Sequence, residues 1–224
     1  MNNMDNTTDK LQVSIRGFVA VQPILKQRQN MSILKVGVQL QPNKRDYYDV
    51  CVFGPKAYWI TRHVDRGMIV ELDGNLDFSV RQGKRGAVSP KMKVYTNDVA
   101  LADRGQKHFA SVSLEGEVGT QPYFSRTVNE TPVSSFEMKV NRKSKSGRER
   151  MLTLNIGAFG DLATTCQAYL YREGRASVEG SLRLGIYTGG DNLLKASLDI
   201  QARAVRPRAA ITQVGADAVL NQAA

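Results

Sequence analysis

The chain has 224 residues, 42% of them hydrophobic, and 31 Lys and Arg against 21 Asp and Glu give a formal charge of +10. That is apolar material enough for one large or two small self-sufficient cores, and the charge favours a polyanionic partner, nucleic acid before anionic lipid because no basic amphipathic helix is evident. Cys51 and Cys166 supply neither a disulfide framework nor a metal-ligand spacing, no apolar run reaches the roughly 18 residues of a membrane span, and the amino terminus MNNMDNTTDK lacks the apolar stretch of a signal peptide; a reducing, cytoplasmic home away from membranes is expected.

Residues 1–10 are polar and Asn-rich, which predicts a flexible arm. From Leu11 the period is two, with Val13, Ile15, Gly17 and Val19 on one face and Ser14, Arg16 and Phe18 on the other. A second strand, 31–40, turns Leu34, Val36, Val38 and Leu40 inward; a third, 47–53, does so with Tyr48, Val50 and Val52, leaving Tyr47, Asp49, Cys51 and Phe53 on the outer face. Gly54-Pro55 ends it and opens a short helix, 55–64, whose Trp59 is expected to face the core. A long strand from Val70 to Val80 carries Gly74 where it must bend, a basic loop 81–85 follows, and a last strand spans 92–100. After a linker at 102–109 the same order returns: strands 112–118, 133–141 and 151–159, a helix 161–171 with Asp161 as N-cap, and strands 175–187 and 196–205. Beyond 206 the pattern fades into a tail.

The second half repeats the first. VSIRGFVAVQP at 13–23 is echoed 99 residues later by VSLEGEVGTQP at 112–122. Phe53-Gly54 answers Phe159-Gly160, Arg66-Gly67 answers Glu173-Gly174, and Asp73-Gly74-Asn75-Leu76 answers Glu179-Gly180-Ser181-Leu182, by which point the displacement is about 106. The extra residues are expected in the hairpin NRKSKSGRER at 141–150. Five strands with one short helix between the third and fourth, twice over, predict an all-β fold of two tandem OB-fold barrels, domain one at 11–101 and domain two at 110–206. A sandwich is the alternative, and a helix inserted at the same place in both copies counts against it.

These landmarks resemble the bacterial single-stranded DNA-binding protein family. The resemblance rests on Phe-Gly after the third strand, a glycine step after the helix, and an acidic-Gly-x-Leu step in the fourth strand, and it covers nearly all of both repeats. It implies OB folds, single-stranded DNA as partner, and a homodimer that brings four barrels together. The chain departs from the family pattern in two places. It ends VLNQAA with Asp217 as its only late acid, so replication and repair proteins have no acidic tail to dock on. The family's tryptophan at the start of strand three is replaced by Tyr47 and Thr153.

A sequence-independent binder of single strands needs cations along a groove and rings on the same face. Period-two parity puts Phe53, Phe159 and Tyr47 on outer faces, and Tyr187 follows the same logic. The alternative for Phe53 and Phe159 is packing under the helix that follows each. Candidate phosphate contacts are Arg142, Lys143, Lys145, Arg148 and Arg150 of the hairpin, Lys35 and Lys139 on the second strands, Arg81, Lys84 and Arg85 in the first copy's loop, and Arg183 on the second copy's fourth strand. His63 and His108 lie in no nucleophile or metal spacing, and no Gly-rich loop opens a helix, so neither catalysis nor a cofactor is expected. RNA as ligand, or barrels that mainly hold protein partners, are the competing readings.

Overall fold

The computed structural model describes residues 9–83, 87–143, 149–190 and 193–208. In chain order it runs β1 (Lys10–Lys26), a 3-10 turn at Gln27–Gln29, β2 (Met31–Gln41), β3 (Lys44–Phe53), α1 (Pro55–His63), β4 (Ile69–Gln82), β5 (Val88–Thr96) and β6 (Ala100–Ala102). The second half gives β7 (Phe109–Val118), β8 (Tyr123–Arg126), β9 (Pro132–Lys143), β10 (Glu149–Phe159), α2 (Asp161–Tyr169), β11 (Arg175–Thr188) and β12 (Leu194–Arg208). The first five strands close as β1-β2-β3-β5-β4-β1, with β3 and β5 parallel and every other pair antiparallel. The second set closes as β7-β9-β10-β12-β11-β7, again with one parallel pair, β10 and β12. Both are OB-type barrels, and the sandwich alternative fails because each sheet returns to its first strand.

The alternation read from the sequence is what fills them. Val13, Ile15, Leu34, Val36, Tyr48, Val50, Val70, Leu72, Leu76 and Val94 are buried in the first barrel, and Leu114, Met138, Leu154, Ile156, Val178, Leu182 and Ile200 in the second. Each helix caps one barrel end with Ala57 and Ile60 or Ala163 and Cys166. Trp59 is only partly buried: it packs on the core rim, stacked on His63 at 5.1 Å with Lys56 Nζ 4.6 Å from its ring centre. Among the described residues no helix is long and apolar enough to cross a membrane.

The Phe-Gly steps have a local cause. Gly54 and Gly160 enter the helices at φ 72° and 62°, a region open to glycine, and so let the chain leave the strand and turn directly into α1 or α2. The next landmark pairs differently from its sequence appearance. Gly67 N donates to Val19 O and Glu173 N donates to Val118 O, both at 2.8 Å, so the equivalent of Gly67 is Glu173 rather than Gly174. Glu173 therefore holds a left-handed φ of 70° that Gly67 adopts without a Cβ. The displaced residues are also distributed differently from the sequence expectation. Met31 pairs with Phe53 and Val133 with Phe159, which sets the second strands 102 residues apart; three extra residues thus lie between β7 and β9, and only the remainder in the hairpin.

The two barrels share one sheet. β1 pairs with β7 from Lys10↔Glu115 to Arg16↔Phe109. Val13 and Val112 hold the same place in the two repeats and are paired with each other, so a pseudo-twofold axis passes through that pair. A symmetric two-barrel interface is thereby built inside one chain. Around it the hairpins cross over. Lys44 Nζ donates to Leu184 O at 3.1 Å, the buried Asp46 accepts from Leu184 N at 3.4 Å, and in return Arg150 pairs with Asp77 at 3.6 Å. Asp9 accepts from Asn141 N at 2.7 Å and pairs with Arg175, tying the end of the expected arm to the second barrel.

Asp46 carries a pH consequence. Burial holds its carboxyl above the ordinary 3.8, opposed by the Leu184 amide, Lys44 and Arg183. Because the folded state keeps the proton to higher pH than the unfolded one, ionising Asp46 costs stability that is absent below about 3.8 and fully felt above the raised value. Asp46→Asn keeps an oxygen for Leu184 N and removes that loss. The variant's thermal midpoint is expected to gain on the parent's as pH rises from 4 to 7, and parallel profiles would refute the assignment.

Candidate nucleic-acid interface

On the second barrel, Phe159 ends β10 on the outer face and is 43% exposed. It borders an open groove of about 550 Å³ lined by Asn155, Gly157, Arg183, Asp199 and Gln201, with Ser135 and Glu137 on the β9 side. Strand register explains the gathering: Glu137, Asn155, Asp199 and Arg183 form one cross-strand row, and Ser135, Gly157, Gln201 and Ser181 the next. Asn155 Nδ2 donates to Asp199 Oδ1 at 3.0 Å, and Ser197 Oγ donates to the same oxygen at 2.8 Å, which fixes the groove floor. A half-exposed ring, a guanidinium and side-chain amides within one groove can stack a base, neutralise a phosphate and hydrogen-bond base edges. Sequence reasoning named Phe159 and Arg183 here. It passed over Asn155 and Gln201, which share Phe159's strand parity or sit one register step across; alternation alone could have flagged Asn155.

The other expected residues are dispersed. Tyr187 is 49% exposed on β11 opposite Lys195, beside the exposed Ile186 and Leu194. Arg81 is exposed near the end of β4. Lys35 pairs with Asp49 at 2.6 Å and Lys139 with Glu117 at 3.1 Å, so both strand cations are largely neutralised where they stand. They are also not equivalents: Lys35 corresponds to Glu137, and Lys139 to Gly37. In the hairpin, Arg150 faces Asp77, and Arg142 Nη1 donates to Leu11 O at 3.3 Å; both bridge to the first barrel. Lys143 closes β9, its side chain lying outside the described residues, as do Lys84, Arg85, Lys145 and Arg148 altogether.

On the first barrel the rings are engaged by neighbours. Tyr47 meets Phe18 edge-on at 6.5 Å, and Phe18 is flanked by His108 at 5.9 Å and by the Arg45 guanidinium 5.6 Å from its centre. Gly37 makes this cluster feasible, since a Cβ there would collide with the Phe18 ring. Burial lowers the His108 pKa, and its Nδ1 accepts from Gln39 N at 3.3 Å. Phe53 stacks on Tyr95 with ring centres 6.3 Å apart and planes 25° apart.

Residues 109–207 match the model of the single-strand binding protein family. The match covers the second barrel, from β7 to β12. The matched span holds Phe159-Gly160, Glu173-Gly174 and Glu179-Gly180-Ser181-Leu182, so the resemblance carried by those steps is borne out. Among solved structures, the wild-type single-stranded DNA binding protein from Thermus aquaticus is similar over 93% of this chain and 98% of its own, with a TM-score of 0.63 and 17% identity. A deletion mutant of the same Thermus aquaticus protein is similar over 90% of this chain and 95% of its own, with a TM-score of 0.62 and 16% identity. At that identity the likeness shows the fold, and it spans both tandem barrels. No curated protein matches the sequence.

Proposed function

We propose that this protein binds single-stranded DNA without regard to sequence, protecting and straightening it during replication, recombination or repair, with no chemistry of its own. The observation that carries the reading is Phe159, a half-exposed ring that shares an open groove with Arg183, in the barrel that the single-strand binding protein family model matches. The surplus of ten positive charges supports it, because stacking needs phosphate neutralisation along the same strand. We further place one binding domain at 11–101 and the other at 110–206, and two chains pairing so that four barrels surround the strand; a cytoplasmic, nucleoid- or plasmid-associated site of action belongs to the same proposal.

Fluorescence anisotropy with labelled dT oligonucleotides of increasing length, at several salt concentrations, tests it. Affinity is expected to rise with length, to exceed that for duplex of equal length, and to fall with salt at a log-log slope of about −0.7 per phosphate neutralised. Weak and equal binding to single strand and duplex would sink the reading and leave the barrels to protein partners. Stronger binding to an RNA oligonucleotide of matched sequence would reassign the ligand.

A further inference from the structure

We infer that the two barrels share the strand unequally: the base stacks on Phe159 of the second barrel, while its counterpart Phe53 on the first is closed by Tyr95 and takes no base. The inference rests on the function proposed above and concerns which of two equivalent rings performs it.

The equivalence is set by register. Phe53 pairs with Met31 as Phe159 pairs with Val133, and two residues earlier on each strand the rows read Ile33–Cys51–Tyr95–Asn75 in the first barrel and Ser135–Gly157–Gln201–Ser181 in the second. Ile33, Cys51 and Tyr95 of the first row stand where the second has Ser135, the bare Gly157 and the polar Gln201. Tyr95 lies against the Phe53 ring, and Cys51 and Met31 are 5% and 8% exposed although they stand on the outer side of their strands. At the corresponding place Gly157 has no side chain and Gln201 is exposed, which leaves the groove beside Phe159 open. A ring that already stacks on a neighbour must break that contact before a base can use the same face.

The next row differs in the placing of its charges. Lys35, Asp49, Lys93 and Asp77 alternate in sign across the first barrel, with Lys35 held by Asp49 at 2.6 Å and Asp77 held by Arg150 at 3.6 Å. The second barrel has Glu137, Asn155, Asp199 and Arg183 there, and Arg183 is exposed at the groove rim. Arg183 stands where the first barrel has Asp77, while Asp199 stands where it has Lys93. Steric access therefore favours the second barrel, and Arg183 supplies a cation at its rim.

The test compares Phe53→Ala, Phe159→Ala and the double variant Gly157→Cys with Gln201→Tyr, which gives the second barrel the first barrel's closed row. A Cβ on Gly157 would lie 3.7 Å from Phe159 Cε2, ordinary contact, so this position accepts a side chain without displacing the ring. Affinity for a dT oligonucleotide is expected to fall about 5- to 150-fold for Phe159→Ala and in the same direction for the double variant. Phe53→Ala should stay within about twofold of the parent, with circular dichroism melts verifying that all three are folded. Equal losses from both phenylalanine variants, or none from either, would overturn the unequal assignment while single-strand binding stands. A parent protein indifferent to single strands would overturn the functional reading, and this inference with it.

Discussion

Gly180→Ala is expected to destabilise the second barrel by about 3 kcal/mol or more, the upper end of what overpacking costs, because the added carbon meets backbone and not a movable side chain. A Cβ at Gly180 would collide with the carbonyl oxygen of Gln201 and come within 2.8 Å of Ile200 Cγ2. Gly180 sits at the register shift of the β11–β12 pair and is also paired with Val112 of β7, so the strand cannot slide away from the clash without loosening the seam between barrels. Gly74 holds the same place in the first barrel, 2.6 Å from Val94 Cγ1 and 2.7 Å from Tyr95 O by the same construction. The glycine of the acidic-Gly-x-Leu step thus allows two strands to approach, and the leucine after it, Leu76 or Leu182, fills the barrel. Thermal melts should show the midpoint lowered by roughly 6–12 °C, at about 2–4 °C per kcal/mol for a chain of this size. Gly157→Ala, with only an ordinary contact at 3.7 Å, is the control and should leave the midpoint nearly unchanged. Equal melts for the two variants would refute the close-approach account.

Tyr48→Phe is expected to act in the other direction. Tyr48 is 0% exposed on the inner face of β3, and its hydroxyl has no hydrogen-bond partner among the described residues. Burial, with the Asp46 carboxylate adding to it, drives the phenol pKa far above its ordinary value, so the group stays neutral and simply lacks the partners that water would supply. A buried unsatisfied polar group costs about 1–3 kcal/mol, and removing the oxygen should return that much stability with no change of packing volume beyond one atom. The second barrel supports the substitution, since the equivalent of Tyr48 is the fully buried Leu154. Urea unfolding at neutral pH measures it, and a loss of stability in Tyr48→Phe would mean that the hydroxyl is satisfied in solution.

Much of this protein was legible in one dimension. Period-two alternation determined which side chains fill the barrels, because a strand sends successive residues to opposite faces whatever it pairs with. The recurrence of Phe-Gly and acidic-Gly-x-Leu determined that there are two copies, and parity put Phe53 and Phe159 on outer faces. What the sequence left open was decided by pairing across strands distant in the chain. Two places before each ring, Cys51 and Gly157 pair with residues of β5 and β12 some 40 residues further on, and only that register reveals Tyr95 against one ring and Gln201 near the other. The same holds for charge: Lys35, Lys139 and Arg150 look like free cations in the chain, and each meets a carboxylate once the sheets close. Alternation is a property of each strand alone and survives in sequence, whereas partner identity depends on register, and register is set by the whole barrel and by the seam at Val13 and Val112.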